Sequence, residues 1–172
     1  MRHTCVTHPP TRNETEFILR HWRDAVPDDR LAHLIRDVAR SLERGLQTRL
    51  AAYDIPFGHW TFLRVLWNGD GLTQRELSRE AGVKEATTTA VVRQMERAGH
   101  IVRRHVGENR RRQHVFLTTS GKDLEKYLIP LAVDVNKIAL GNSSENQVIE
   151  MRKTLIKMIE NLAEAESGRD QS

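Results

Sequence analysis

The hydrophobic positions of this chain fall into successive helical stripes, interrupted once by a short stretch of strand character. Leu31, Leu34, Ile35, Val38, Leu42, Leu46 and Leu50 recur at intervals of three and four, which predicts an amphipathic helix ending near Tyr53. Pro27-Asp28-Asp29 reads as its start, with acids favourably placed for the helix dipole. Ile55-Pro56-Phe57 breaks the chain, and Pro56 suits the first turn of a second helix carrying Phe57, Trp60, Leu63, Leu66 and Trp67. Asn68-Gly69-Asp70-Gly71 is a turn signal. Thr73 followed by Glu76 predicts a capping box on a third helix with Leu77 and Ala81 inward. Gly82 supplies a tight turn. A fourth helix is expected from Lys84 to Ala98, with Val91, Val92 and Met95 buried and Gly99 as a left-handed cap.

The pattern then changes. Residues 100–106 and 114–118 read as strands on the β-formers Val102, Val115 and Leu117, joined by a polar loop from Gly107 to Arg112. Thr119-Ser120-Gly121 leads into a long helix with Leu124, Tyr127, Leu128, Leu131, Val135 and Ile138, in which Pro130 predicts a kink or local break. Gly141-Asn142-Ser143 ends it. Ser143 or Ser144 caps a last helix with Val148, Met151, Leu155, Ile159 and Leu162. Upstream, residues 1–12 hold Pro9 and Pro10 and little apolar content, which predicts a mobile arm. Phe17 to Trp22 would make a short helix that packs onto something else.

The predicted fold is mainly α with a small β-wing. It is a winged helix-turn-helix lobe (57–121) between dimerisation helices (31–56 and 122–166), after an N-terminal arm with a short helix (1–30). The flanking helices carry more apolar stripe than one small winged helix can cover. They either cover one another or pair with a second copy, and the second reading is favoured because one DNA half-site rarely gives useful affinity. Two recognition helices would then sit about 34–36 Å apart.

Charge sharpens this picture. The formal net charge of the 172 residues is only +4. Residues 61–118, however, hold eleven Lys and Arg against six Asp and Glu, so the basic excess sits on the lobe expected to meet phosphates. Cys5 is the single cysteine, which excludes an intrachain disulfide and fits a reducing cytoplasm. No apolar run approaches the ~20 residues of a membrane span, and no signal-peptide core opens the chain. The eight histidines show no paired spacing for a metal. Phosphate loops, nucleophile elbows and the His-Glu-x-x-His pattern have no counterpart. An enzyme is therefore not expected, nor a cofactor or a metal.

A helix-turn-helix lays the N-terminal part of its second helix against base edges. Here that part holds Lys84, Thr87, Thr88 and Thr89, followed by Arg93. Threonine donates or accepts a hydrogen bond and offers a methyl to thymine, while lysine and arginine meet phosphate or guanine. Thr88 also lies on the stripe of Val91 and Met95, which favours the helix interior. Arg110, Arg111 and Arg112 repel one another, so stability explains their crowding poorly. A narrow minor groove attracts arginine, and Arg110 or Arg111 is expected to enter it. Arg103 and Arg104, on the incoming strand, are expected at the DNA backbone or the partner strand.

Leu-Thr-Gln-Arg-Glu-Leu-Ser to Ala-Gly-Val, the Met-Glu-Arg-Ala-Gly-His-Ile helix exit, and Asn-Arg-Arg followed by Val-Phe-Leu-Thr-Thr-Ser-Gly together resemble the MarR family of bacterial transcription regulators, over roughly Leu31 to Leu162. The resemblance implies a homodimer on a pseudo-palindromic operator in double-stranded DNA, usually a repressor released by a small molecule or an oxidant. It places an effector pocket where the dimer helices meet the DNA-binding lobe. In this chain that region includes Arg40, Arg44, Tyr53, His59, Trp60 and Leu63, a set suited to an aromatic acid, although Trp60 at helical spacing is equally a core residue. Two positions depart from the family pattern: Asn109 stands where Asp is common, and Ala90 where Arg is common. The rival readings are a winged-helix protein-interaction module and a redox-sensing repressor using Cys5.

Overall fold

The computed structural model describes Thr15, Glu16, Leu19 and Trp22, together with residues 30–106 and 113–169. The chain divides into two compact units, residues 1–135 and 136–172.

In the first unit, α1 (Leu31–Leu50) leads through a 3-10 turn (Ala51–Tyr53) to α2 (Phe57–Asn68). Leu46 and Leu50 are buried. Trp22 donates its indole N–H to the Asp37 carboxylate of α1 at 3.2 Å. Pro56 is the N-cap of α2 rather than its first helical residue. Helix α2 supplies the centre of the core: Trp60, Phe62, Leu63 and Leu66 are all at most 6% exposed. Around it pack Leu50, Ile55, Leu77, Val92, Met95, Ile101, Val115 and Leu128.

The expected turn at 68–71 exists and does more than reverse the chain. Asp70 accepts from the backbone N–H of Gly71 (3.0 Å) and of Leu117 (2.8 Å), tying the turn to the wing. Three strands form an antiparallel sheet in the order β1–β3–β2, with β1 Leu72–Thr73, β2 Ile101–His105 and β3 Gln113–Leu117. The register sets Leu72 opposite Val115, and Ile101 opposite Leu117. The two-residue β1 was not anticipated, because it is a strand only through its pairing with β3.

Beyond the wing, α5 (Thr119–Asp123) and α6 (Glu125–Leu140) are separated at Leu124. Of the kink or local break expected at Pro130, the break is absent: Pro130 lies inside continuous helix. Pro130 and Lys126, whose carbonyl loses its i+4 donor, are both exposed, so the missing bond falls on the outer side of the helix where it is tolerated. The α5 entry is tightly built. Thr118 caps it by accepting from the Gly121 N–H at 3.1 Å, and the Trp67 indole donates to the Gly121 carbonyl at 3.0 Å.

In the second unit, α7 runs from Glu145 to Arg169, longer than the apolar stripe alone implies. Ser144 opens it with a reciprocal cap: its N–H donates to Gln147 (2.8 Å) and its hydroxyl accepts from the Gln147 N–H (3.3 Å). Ile156, Ile159 and Leu162 are 47%, 69% and 64% exposed.

Candidate nucleic-acid interface

Two short helices form the grip. α3 (Gln74–Ala81) starts at the anticipated capping box: Thr73 accepts from the Glu76 N–H, and Glu76 accepts from the Thr73 N–H at 2.8 Å. Those bonds hold the Glu76 carboxyl below its usual range, the backbone donor first and the Thr73 hydroxyl second. Gly82 is left-handed at φ 63°. The Ser78 hydroxyl donates to the Val83 carbonyl and the Val83 N–H to the Ser78 carbonyl, closing the turn. α4 (Glu85–Arg97) follows with Lys84 as N-cap. Its inner side is Thr88, Val92 and Met95, each 0% exposed.

Between this pair and the wing runs an open groove of about 1180 Å³. Its walls are the start of α3 (Thr73, Gln74, Arg75, Glu76), Arg79, the turn and start of α4 (Gly82 to Glu85), and His105 and Gln113 on the wing strands. The Arg75 and Arg79 side chains are 90% and 75% exposed, with only surface acids nearby: Glu85 at 4.0 Å and Glu80 at 3.2 Å. Such exposed pairs exchange readily for a stronger anion. The groove thus carries Arg75 near the start of α3 and Arg79 near its end, is bounded by the wing strands, and also includes the acids Glu76 and Glu85 in its walls.

The expected contacts separate on inspection. Lys84, Thr87 and Arg93 are exposed on α4. Thr89 is half-buried and its hydroxyl donates to the Glu85 carbonyl at 3.0 Å. Thr88 is a correction: it is fully buried and donates to the Lys84 carbonyl at 3.2 Å, so it packs the core and does not face DNA. Arg103 is half-buried, and its guanidinium pairs with Glu96 of α4 at 2.6 Å. Arg104 of β2 is exposed. Arg110, Arg111 and Arg112 lie outside the described residues, as does Cys5.

Gln74, Arg75, Arg79, His105 and Gln113 were not singled out from sequence. The available signal was the i,i+4 spacing of Arg75 and Arg79 on the polar side of a capped helix just before the turn.

The expected effector residues do not form one exposed set. Arg40 is exposed, while Arg44 is half-buried and donates to Ser41 at 3.0 Å. His59, Trp60 and Leu63 are corrections: at 5%, 6% and 0% exposure they belong to the core. Trp60 meets Trp67 edge-on at 5.8 Å, with Arg64 over its ring at 5.5 Å. His59 meets His100 edge-on at 5.9 Å. Among the described residues, both ring nitrogens of His59 and Nδ1 of His100 are buried with no hydrogen bond of regular geometry, the Gln94 side chain lying near His59. Burial pushes both histidines below their ordinary pKa; for His59 the neighbouring His100 adds to this and Gln94 opposes it.

Residues 53–112 match the MarR family model. The chain is 26% identical over 98 residues to the HTH-type transcriptional regulator TtmR of Methylorubrum extorquens, covering 57% of this chain and 50% of that one. It thus spans about half the length of that relative. Among solved structures, a MarR transcriptional regulator from Methanosarcina mazei superposes with a TM-score of 0.73 at 24% identity, over 85% of this chain and 98% of the other. A MarR family regulator from Listeria monocytogenes, solved in complex with 26mer DNA, gives 0.71 at 21% identity over 78% and 89%. The family match is thus confined to residues 53–112, and over 85% of the chain the fold, with its capped α3, left-handed turn, core-packed α4 and three-stranded wing, is similar to that of solved MarR-type winged helix-turn-helix proteins.

Proposed function

We propose that this protein is a homodimeric, sequence-specific DNA-binding regulator that acts as a repressor and is released by a small effector of aromatic-acid type. The observation that carries DNA binding is the groove between α4 and the wing, where Arg75, Arg79 and Lys84 stand open above a rigid turn. In this reading Lys84, Thr87, Thr89 and Arg93 meet the major groove and neighbouring phosphates. Arg110 or Arg111, both outside the described residues, enters the minor groove, and the other contacts phosphate or braces the loop.

Dimer formation is supported by the large exposed apolar side chains of α1 (Leu31, Leu34, Val38) and α7 (Ile149, Met151, Leu155, Ile156, Ile159, Leu162). Exposed apolar side chains recurring along a helix, on each of these two elements taken by itself, are the kind of surface that a partner covers. Effector release rests on the family resemblance. Arg40 and Arg44 are the cations of the expected set that retain exposure, whereas a ligand reaching Trp60 must displace core packing. No helix among the described residues is long and apolar enough to cross a membrane, which is consistent with a cytoplasmic regulator.

A gel-shift experiment with the DNA upstream of its own coding sequence, at two salt concentrations, tests the reading. Each neutralised phosphate contributes about −0.9 to the slope of log K against log salt. Several such units are expected, with release on adding candidate aromatic acids. Absent or salt-insensitive binding favours a protein-interaction module instead.

A further inference from the structure

The recognition helix and the wing are joined at the surface by a clasp. Glu96, in the last turn of α4, accepts from Arg103 Nε at 3.2 and 3.1 Å through its two oxygens, and from Nη2 at 2.6 Å. It also accepts from the Arg103 backbone N–H at 3.4 Å. The two side chains remain 34% and 26% exposed. Arg103 sits on β2, the outer strand of the sheet, two residues before His105, which lines the groove.

The pair is half-buried and forked, a geometry that can add to stability. It also neutralises a guanidinium two residues from the groove-lining His105, where a free cation would add affinity for DNA. The arginines lining the groove are held loosely: Arg75 lies 4.0 Å from its acid, and Arg79 touches only its sequence neighbour Glu80. The forked geometry of arginine suits fixing one orientation.

We infer that Glu96 is a specificity-determining positioning residue, which withholds Arg103 from the DNA backbone and uses it to set the wing against the recognition helix. The inference rests on the DNA-binding reading above. Binding to arbitrary duplex is thereby weakened, because one phosphate contact is forgone. Binding to the correct site is favoured, because the groove-reading helix and the wing are held at one mutual angle. Loss of the Glu96 charge releases Arg103, whose long side chain then reaches a phosphate on any sequence.

The test measures affinity by fluorescence anisotropy across a salt series, for a random-sequence duplex and for the upstream fragment. Glu96→Gln is expected to tighten binding to the random duplex and steepen its salt slope by about 0.9, an additional loss of about eightfold in affinity per tenfold rise in salt. The ratio of specific to random affinity is expected to fall about tenfold. Glu96→Asp, which keeps the charge, restores the wild-type slope. Glu96→Gln with Arg103→Gln also restores the slope but leaves the ratio low. An unchanged slope in Glu96→Gln, a steeper slope with an unchanged ratio, or an equal loss on both duplexes overturns the inference. If the wild-type protein itself binds without salt dependence, the DNA-binding reading fails and takes this one with it.

Discussion

Replacing Gly121 with alanine sets two effects of opposite sign against each other. Gly121 lies within α5, where alanine is favoured over glycine by about 1 kcal/mol. However, a Cβ at this position would stand 2.0 Å from the His100 carbonyl oxygen and 3.1 Å from Leu117 Cδ2. The first contact is with backbone and cannot be relieved by rotating a side chain. α5 must move outward by more than an ångström, and three bonds lie in its path. These are the Gly121 N–H to Thr118 (3.1 Å), the Trp67 indole to the Gly121 carbonyl (3.0 Å), and the Thr118 N–H to the His100 carbonyl (3.0 Å). At roughly 0.5–1.5 kcal/mol each, their loss amounts to about 2–4 kcal/mol. The clash outweighs the helix preference, leaving a net destabilisation of about 1–3 kcal/mol. Urea denaturation at fixed protein concentration checks this, with a lower midpoint and an unchanged slope. Gly58→Ala is the control. Its Cβ would meet only Val91 Cγ2, at 3.7 Å, so it should hold or gain a few tenths of a kcal/mol. A Gly121→Ala protein as stable as wild type would refute the claim that the wing exit needs this close approach.

Thr88→Val keeps shape and burial while the Lys84 carbonyl retains the Thr88 N–H at 3.0 Å, so DNA affinity is expected to stay unchanged and stability to stay within about 1 kcal/mol; Thr87→Ala, on the exposed side, is expected to weaken binding, and equal losses in the two would return Thr88 to the interface. Arg79→Ala should weaken binding to every duplex alike and reduce the salt slope by about 0.9, whereas a sequence-dependent loss would mean that Arg79 reads bases. His59 and His100 are depressed by burial, so the unfolded chain binds more protons; their contribution to stability is full above about pH 6.5 and is lost as pH falls through the folded values, at up to about 1.4 kcal/mol per pH unit for each proton. Denaturation midpoints at pH 7.5 and 5.5 should therefore differ less in His59→Phe than in wild type. Ile159→Glu, on the exposed face of α7, is expected to leave the monomer helical and to dissociate the dimer in sedimentation, and a dimer that persists would place the partner contact elsewhere.

The helices were legible because their signals are local. The period of Leu31 to Leu50 is a repeat within one segment, and Thr73 and Glu76 satisfy each other three residues apart. Gly82 and Gly99 stand at left-handed positions that few other residues adopt. What escaped depends on partners far along the chain. β1 is two residues long and exists because Leu72 and Thr73 meet Val115 and His114. The separation at Leu124 follows a capped entry closed by Trp67, 54 positions before the carbonyl it holds. His59 was misread for a related reason. A polar ring on a helix suggests a site, but position 59 is set inside by α2 crossing the end of α4, where His100 lies.

The interface itself was the least legible part, and charge shows why. On an amphipathic element any cation satisfies the polar face, so periodicity does not separate a cation offered to DNA from one consumed by the fold. Arg75, Arg79 and Arg103 look alike in sequence. In space Arg75 and Arg79 stand open over the groove, whereas Arg103 is clasped by an acid seven residues earlier on another element. The basic excess of residues 61–118 therefore counts Arg103 together with the acid that cancels it, and the net sum is correct while the distribution is hidden. Among the described residues the exposed cations include Arg75 and Arg79 on α3, Lys84 and Arg93 on α4 and Arg104 on β2. For a winged helix, the quantity that relates to DNA affinity is thus not the lobe's net charge but the number of guanidinium and ammonium groups lacking a forked partner of their own. That number changes by one when Glu96 loses its charge.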